Sequence, residues 1–179
     1  MSLALNLVDV IVTTPAEDAE RRFRRAAWSA LATDPSLLDR NGEPAHFTAS
    51  ALPVSADGSR VCLVLHRRMG LWVQPGGHFE PGDGSVAEAA AREMTEETGL
   101  VGGVAPVPLA LSRHASPCGR GDWHLDVQML AVVAEAAPTI SEESLDVAWF
   151  GIDDLPEKRA RGVSDLVGEA LRRLSRTGG

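Results

Sequence analysis

Cysteine is scarce in this chain. Cys62 and Cys118 are the only two among 179 residues, too few for the disulfide framework of a small secreted domain, and the expected location is the reducing cytoplasm. Basic residues are in deficit as well: 17 Lys and Arg face 25 Asp and Glu, for a formal net charge of −8. Nucleic acid polymers bind through cationic surfaces, so this balance argues against one as a partner. A small anionic ligand would need a local basic patch or a bound cation. Long hydrophobic runs are also missing. Residues 3–12 are apolar apart from Asn6 and Asp9, well short of the roughly 20 residues of a membrane-spanning helix. No positive region precedes them, as a secretory signal would require, and no membrane span is expected. Internal repeats and low-complexity tracts are absent.

What is present fits one domain with a short appendage. Thr14-Pro15-Ala16-Glu17 reads as a capping box with proline in the first turn, and Ala19, Phe23, Ala27 and Leu31 then recur at helical spacing. This predicts a helix to about Thr33 and assigns residues 1–45 to a helical appendage, with the main domain at 46–179. Phe47 to Val54 and Val61 to His66 suit strands, joined by an Asp57-Gly58 turn. The second run is apolar from Val61 to Leu65, the pattern of a strand covered on both faces, and hence of a sheet with helices on each side. Further strands are expected at Val104 to Leu111, His124 to Val133 and Val147 to Gly151, with a closing amphipathic helix from Val163 to Leu174.

The chemistry concentrates after Pro75. Ser85-Val86-Ala87-Glu88 is a second capping box, predicting a helix from Ser85 to about Thr98 with Gly99 at its C-terminal cap. Glu93, Glu96 and Glu97 then stand at i, i+3 and i+4 on one helical face. Like charges at these spacings repel, and more strongly if partly buried. Arg92 relieves part of this strain, but one guanidinium cannot neutralise all three. A hard divalent cation with oxygen ligands can: Mg²⁺ commonly takes one or two carboxylates together with waters and substrate phosphates. An isolated E-x-x-E-E string is more often a solvated acidic face, so the surrounding residues decide.

Those residues are Gly77-x5-Asp83-x8-Arg92-Glu93-Met94-x-Glu96-Glu97-x-Gly99-Leu100, and the segment resembles the Nudix box, the loop-helix-loop signature of hydrolases acting on nucleoside diphosphates linked to another moiety. Its second half, REMTEETGL, matches at every specified position. The resemblance extends from about His46 to Leu155 and leaves the N-terminal helix outside it. It implies an α/β/α sandwich with a mixed sheet, in agreement with the strand pattern. It also implies Mg²⁺ or Mn²⁺ on Glu93, Glu96 and Glu97, assisted by a backbone carbonyl near Gly76, and a small nucleotide-like diphosphate as substrate. The catalytic candidates are Glu93, to orient or deprotonate the attacking water, and Arg92 beside it. Because this role moves to loops outside the box in some members, Glu142 and Glu143 are rivals. A homodimer is compatible with this reading. Two other readings within the fold carry less: an isopentenyl diphosphate isomerase would need an active-site cysteine, and Cys62 lies in an apolar run; a non-catalytic nucleotide sensor would lose box glutamates, which are kept here.

The box departs from its usual form at one point. The first carboxylate normally has seven residues between it and the arginine, whereas eight separate Asp83 from Arg92. The extra residue precedes the Ser85 cap, so the helix register is expected to survive, with Gly84 absorbing the turn at positive φ. The helper role of the first carboxylate then falls to Asp83, at a distance left open, or to nothing.

Secondary candidates lie on the strands. Alternation places His124, Asp126 and Gln128 on one face and Leu125, Val127 and Met129 on the other. His124 and Asp126 are candidates to line the substrate cleft, with a covered, internally hydrogen-bonded polar face as the alternative. Arg67 and Arg68 are candidate phosphate clamps, though strand alternation would let only one point inward. His114-x3-Cys118-x5-His124-x-Asp126 has a zinc-like look but fits no standard finger spacing. Trp72 and Trp149 fit base stacking or, more simply, the core.

Overall fold

The computed structural model describes residues 33–41, 43–105, 108–115 and 123–177, together with Arg25 and Ser29. The helix expected from Thr14 to Thr33 lies outside the described residues apart from helical Arg25, Ser29 and Thr33.

Among the described residues, eight strands form one mixed sheet: β1 (Ala45–Ser55), β2 (Arg60–His66), β3 (Leu71–Val73), β4 (Gly76–His78), β5 (Gly102–Val104), β6 (Ala110–Ala115), β7 (Trp123–Val133) and β8 (Ser144–Gly151). β1 and β7 run parallel in full register, from Ala45 opposite Trp123 to Ser55 opposite Val133. The other pairings are antiparallel: β2 and β4 on β1, β3 and β8 on β2, β5 and β6 on β7. The β1–β2 turn has Gly58 at φ 75, and the Asp57 carboxylate accepts from the Ser59 amide.

Among the described residues, two helices cover the sheet. Helix α1 (Val86–Thr98) begins at Ser85, whose hydroxyl accepts from the Glu88 amide, and ends at Gly99 with φ 70, both as the residues predict. Its Val86, Ala89, Ala90 and Met94 pack on Phe47, Ala49, Ala51, Leu125, Val127 and Met129. Met94 is fully buried, so truncation to alanine is expected to cost about 2–5 kcal/mol. Helix α2 (Val163–Thr177) lays Val163, Leu166, Val167 and Ala170 on Leu52, Val54, Val61, Leu63 and Leu130. On β2, Cys62 faces the α1 side and Val61 and Leu63 the α2 side. This is the doubly covered strand read from the apolar run. Among the described residues no helix is long and apolar enough to cross a membrane.

One expected strand is corrected. Val104 to Leu111 is two strands, β5 ending at Val104 and β6 starting at Ala110. Pro106 and Pro108 fall between them, and proline has no N–H to donate to a ladder. Ala105 and Leu109 still reach β7, donating to the Leu130 and Gln128 carbonyls.

Candidate active site

The three box glutamates share the edge of α1 beside β4 but sit at graded depths. Glu97 is buried at 7% exposure, the Glu93 side chain is 13% exposed and that of Glu96 56%. Gly77 leaves room for Glu93, and Gly76 for the close approach of β1. A Cβ on Gly77 would stand 2.6 Å from both Glu93 carboxylate oxygens, and one on Gly76 would stand 2.4 Å from Ser50 Cβ. The Gly76 amide donates to the Glu97 carboxylate.

Burial makes these carboxylates reluctant to ionise. It is the main cause pushing Glu97 up to about 8, and Glu93 and Glu143 add to it by repulsion. Burial likewise pushes Glu93 up to about 7, opposed by Arg92 and reinforced by Glu96 and Glu143. Glu143, an exposed residue just before β8, is among the main groups repelling both carboxylates, and Glu142 is not.

Arg92 organises the box. Its Nε donates to Asp83 Oδ1 at 3.1 Å and its Nη2 to Asp83 Oδ2 at 3.0 Å. Nη1 donates to Glu93 Oε1 at 2.9 Å and Glu96 Oε2 at 3.2 Å, and Nη2 also donates to the His78 carbonyl at 2.9 Å. These bonds, those to Asp83 first, hold the guanidinium protonated above its ordinary value. Asp83 accepts as well from the Glu80 amide at 2.8 Å and is 6% exposed. It is thus a partner of Arg92, tying the lead-in loop to the helix. Gly84 does not absorb the insertion at positive φ: among the described residues only Gly58, Gly70 and Gly99 lie there. The loop is closed instead by the Gly84 amide donating to Glu88 Oε2 at 2.9 Å.

The donor set fits a hard divalent cation. It offers buried and half-buried carboxylates whose mutual repulsion raises their proton affinity, and Glu97, Glu93, Glu96 and the Gly76 carbonyl are all oxygen donors. The three glutamates do not draw together as tightly as His46, His78 and His124, the one group among the described residues whose ligand atoms all lie within 4.8 Å of one another.

The remaining candidates fall elsewhere. Arg67 and Arg68 lie in the turn after β2, not within the strand, so the alternation argument does not apply to them. Arg67 Nε donates to the Glu142 carbonyl at 3.1 Å and Nη2 to the Ser144 carbonyl at 3.0 Å, while its amide donates to the Glu143 carbonyl at 3.2 Å. It pins the segment bearing Glu143. His124 and Asp126 share a face as predicted, but both are buried. Asp126 accepts from Thr48 at 3.0 Å, from Ser50 at 2.8 Å and from Gln74 at 3.4 Å. The zinc-like string is not what the fold assembles: His124 joins His46 and His78, which the spacing argument passed over, and Cys118 lies outside the described residues. Burial pushes the Cys62 thiol up to about 12, which does not suit a nucleophile. Trp72 stands edge-on to Phe150 within the α2 core, and Trp149 donates to the Ala136 carbonyl. A groove of about 360 Å³ between the end of β8 and α2 contains none of the box residues.

Comparison with known proteins agrees with this geometry. A family model described as NUDIX domain matches residues 44–169. A NUDIX-family hydrolase from Clostridium perfringens is similar at 23% identity and TM-score 0.62, covering 72% of this chain and 97% of that one. The NUDIX domain of Shewanella oneidensis NrtR, in complex with ADP ribose, is similar at 26% identity and TM-score 0.60, covering 82% and 97%. An Ap4A hydrolase from C. elegans is similar at 17% identity and TM-score 0.62, covering 73% and 98%.

Proposed function

The chain belongs to the Nudix family, and on that footing we propose that it is a hydrolase of phosphorus-containing anhydrides that cleaves the diphosphate linkage of a small nucleotide-like substrate with Mg²⁺ or Mn²⁺. The observation that carries this reading is the burial of Glu97 and Glu93 beside Gly76 and Gly77, with burial and mutual repulsion raising both carboxylates. Glu93, Glu96, Glu97 and the Gly76 carbonyl would hold the cation. When bound, it supplies neutralisation of charge developing on phosphorus and a lower pKa for the attacking water.

The protein's own groups do the rest. A carboxylate takes a proton from water as the water oxygen bonds to phosphorus and the bridging P–O bond breaks, giving two phosphorylated products. Glu93, half-buried and oriented by Arg92, is the candidate for that proton transfer. Glu143 is the alternative base, favoured over Glu142 because it is among the main groups repelling Glu93 and Glu97. Arg92 sets the orientation of Glu93 and Glu96 from its anchorage on Asp83. Arg68, in the exposed turn after β2, remains the candidate for a substrate phosphate, and Arg67 for fixing the Glu143 segment.

Similarity to a domain complexed with ADP ribose and to an Ap4A hydrolase guides the choice of substrates. ADP-ribose, dinucleoside polyphosphates, nucleoside triphosphates and nucleotide sugars should be assayed for released phosphate, pyrophosphate or nucleotide. Metal-dependent turnover of at least one, lowered by about a hundredfold in Glu97→Gln, is the expected result. Binding without turnover across all of them would favour a nucleotide-sensing role instead.

A further inference from the structure

The mechanism above uses no imidazole, yet three converge on the sheet face opposite α1. His46 on β1 is the register partner of His124 on β7, and His78 on β4 is paired with Thr48, the next residue of β1 on the same face. Ring centroids are 5.0 Å apart for His46 and His78, 4.6 Å for His46 and His124, and 5.3 Å for His78 and His124. We propose that His46, His78 and His124 form a second metal site, built to take a borderline divalent transition-metal ion such as Zn²⁺.

The geometry already approaches that of a ligand set. His46 Nε2 and His78 Nε2 are 3.1 Å apart, and one ring nitrogen from each of the three lies within 4.8 Å of the others. Around a tetrahedral zinc with Zn–N of about 2.0–2.1 Å, neighbouring nitrogens stand about 3.3–3.4 Å apart. The His46–His78 pair, joined by a hydrogen bond at 3.1 Å, is close to that spacing, and the third nitrogen, within 4.8 Å, would move inward on binding. The rings come from three different strands, so their positions are set by backbone pairing rather than by a flexible loop.

Donor chemistry separates this site from the glutamates. Imidazole nitrogens suit Zn²⁺, Cu²⁺, Ni²⁺ and Co²⁺, whereas Mg²⁺ prefers oxygen. Asp126, the nearest carboxylate along this face of β7, is engaged by Thr48, Ser50 and Gln74 and is not needed as a ligand. An ion here would clamp β4 to β1 and β7. That fixes the strand whose Gly76 and Gly77 cradle the glutamates and whose His78 carbonyl accepts from Arg92.

The test uses the untagged full chain, stripped with chelator and titrated with Zn²⁺ and with Co²⁺. One equivalent of Zn²⁺ should bind and raise the thermal midpoint, and Co²⁺ should give the intense visible absorption of a low-coordinate nitrogen-ligated ion. Glu93→Gln/Glu97→Gln should keep both signals, which makes the outcome independent of the proposed hydrolase site. His78→Asn, at the least buried of the three positions, should lose them, as should His124→Asn. Wild-type protein that takes up no Zn²⁺, a double glutamine variant that loses it, or a His78→Asn variant that retains the Co²⁺ spectrum would each overturn the proposal.

Discussion

Arg92 grips Asp83 with two nearly parallel hydrogen bonds, Nε to Oδ1 at 3.1 Å and Nη2 to Oδ2 at 3.0 Å, although the sequence between them is one residue longer than the usual box. The extra length is taken up ahead of Ser85, so the helix starts at its cap and presents Arg92 to the loop without a change of register.

The Asp83 carboxylate therefore has a structural partner to lose. Asp83→Asn removes charge from a side chain that is 6% exposed and faces a guanidinium. Arg92 keeps Glu93 and Glu96, so the expected cost is about 1–3 kcal/mol, read as a lower urea midpoint. Activity should fall modestly. A loss as deep as that of Glu97→Gln, with stability unchanged, would instead make Asp83 a member of the metal site.

Two glycines should respond oppositely. A Cβ at Gly77 runs into the Glu93 carboxylate at 2.6 Å, whereas one at Gly84 meets the end of the flexible Glu88 side chain at 2.9 Å. Gly77→Ala should lower kcat on the order of a hundredfold by displacing Glu93, and Gly84→Ala should be close to neutral in both stability and rate. Equal effects in kinetic assays of the two variants would contradict the placement of Glu93.

Stability of the metal-free protein should depend on pH with a definite sign. Glu97 and Glu93 have folded values near 8 and 7, above the ordinary 4.5, so the fold binds protons more tightly than the unfolded chain does. Their favourable contribution is full below about pH 4.5 and is lost as pH rises through about 7 to 8. Denaturation in EDTA should show this decline, and saturating Mg²⁺ should remove it. At a hundred times its Kd, an ion binding only the native state adds about 2.7 kcal/mol. An unchanged slope with Mg²⁺ present would place the ion away from these residues.

Arg67 can be assigned by how its loss divides between kcat and KM. Its bonds to the carbonyls of Glu142 and Ser144 predict that Arg67→Ala lowers kcat by loosening the Glu143 segment while KM changes little. A raised KM with kcat intact would restore it to the phosphate-clamping role.

Elements defined by strong local chemistry were legible in the sequence. The Ser85 cap, the Gly99 terminus and the doubly buried apolar run of β2 each rest on a rule that acts over a few residues. The three-residue strands β3 and β4 are too short to carry a period of their own, and the Pro106 and Pro108 break was hidden inside a run of apolar residues. The carboxylate face followed from helical spacing, but its gradient from buried Glu97 to exposed Glu96 depends on where β4 passes. Asp83 was left without a partner because the loop path decides it. His46 and His78 are 32 residues apart and meet only through sheet pairing, so no local pattern signalled the histidine cluster.

The central claim is that catalysis runs through a cation held by Glu93, Glu96 and Glu97. It is tested most directly by measuring turnover of the best substrate against Mg²⁺ concentration in wild type and in Glu97→Gln. The account predicts no turnover in EDTA, saturable recovery in wild type, and in Glu97→Gln a curve moved to higher Mg²⁺ by on the order of tenfold or more, with kcat down by about a hundredfold. Turnover that persists in EDTA, or superimposable Mg²⁺ curves for the two proteins, would contradict it.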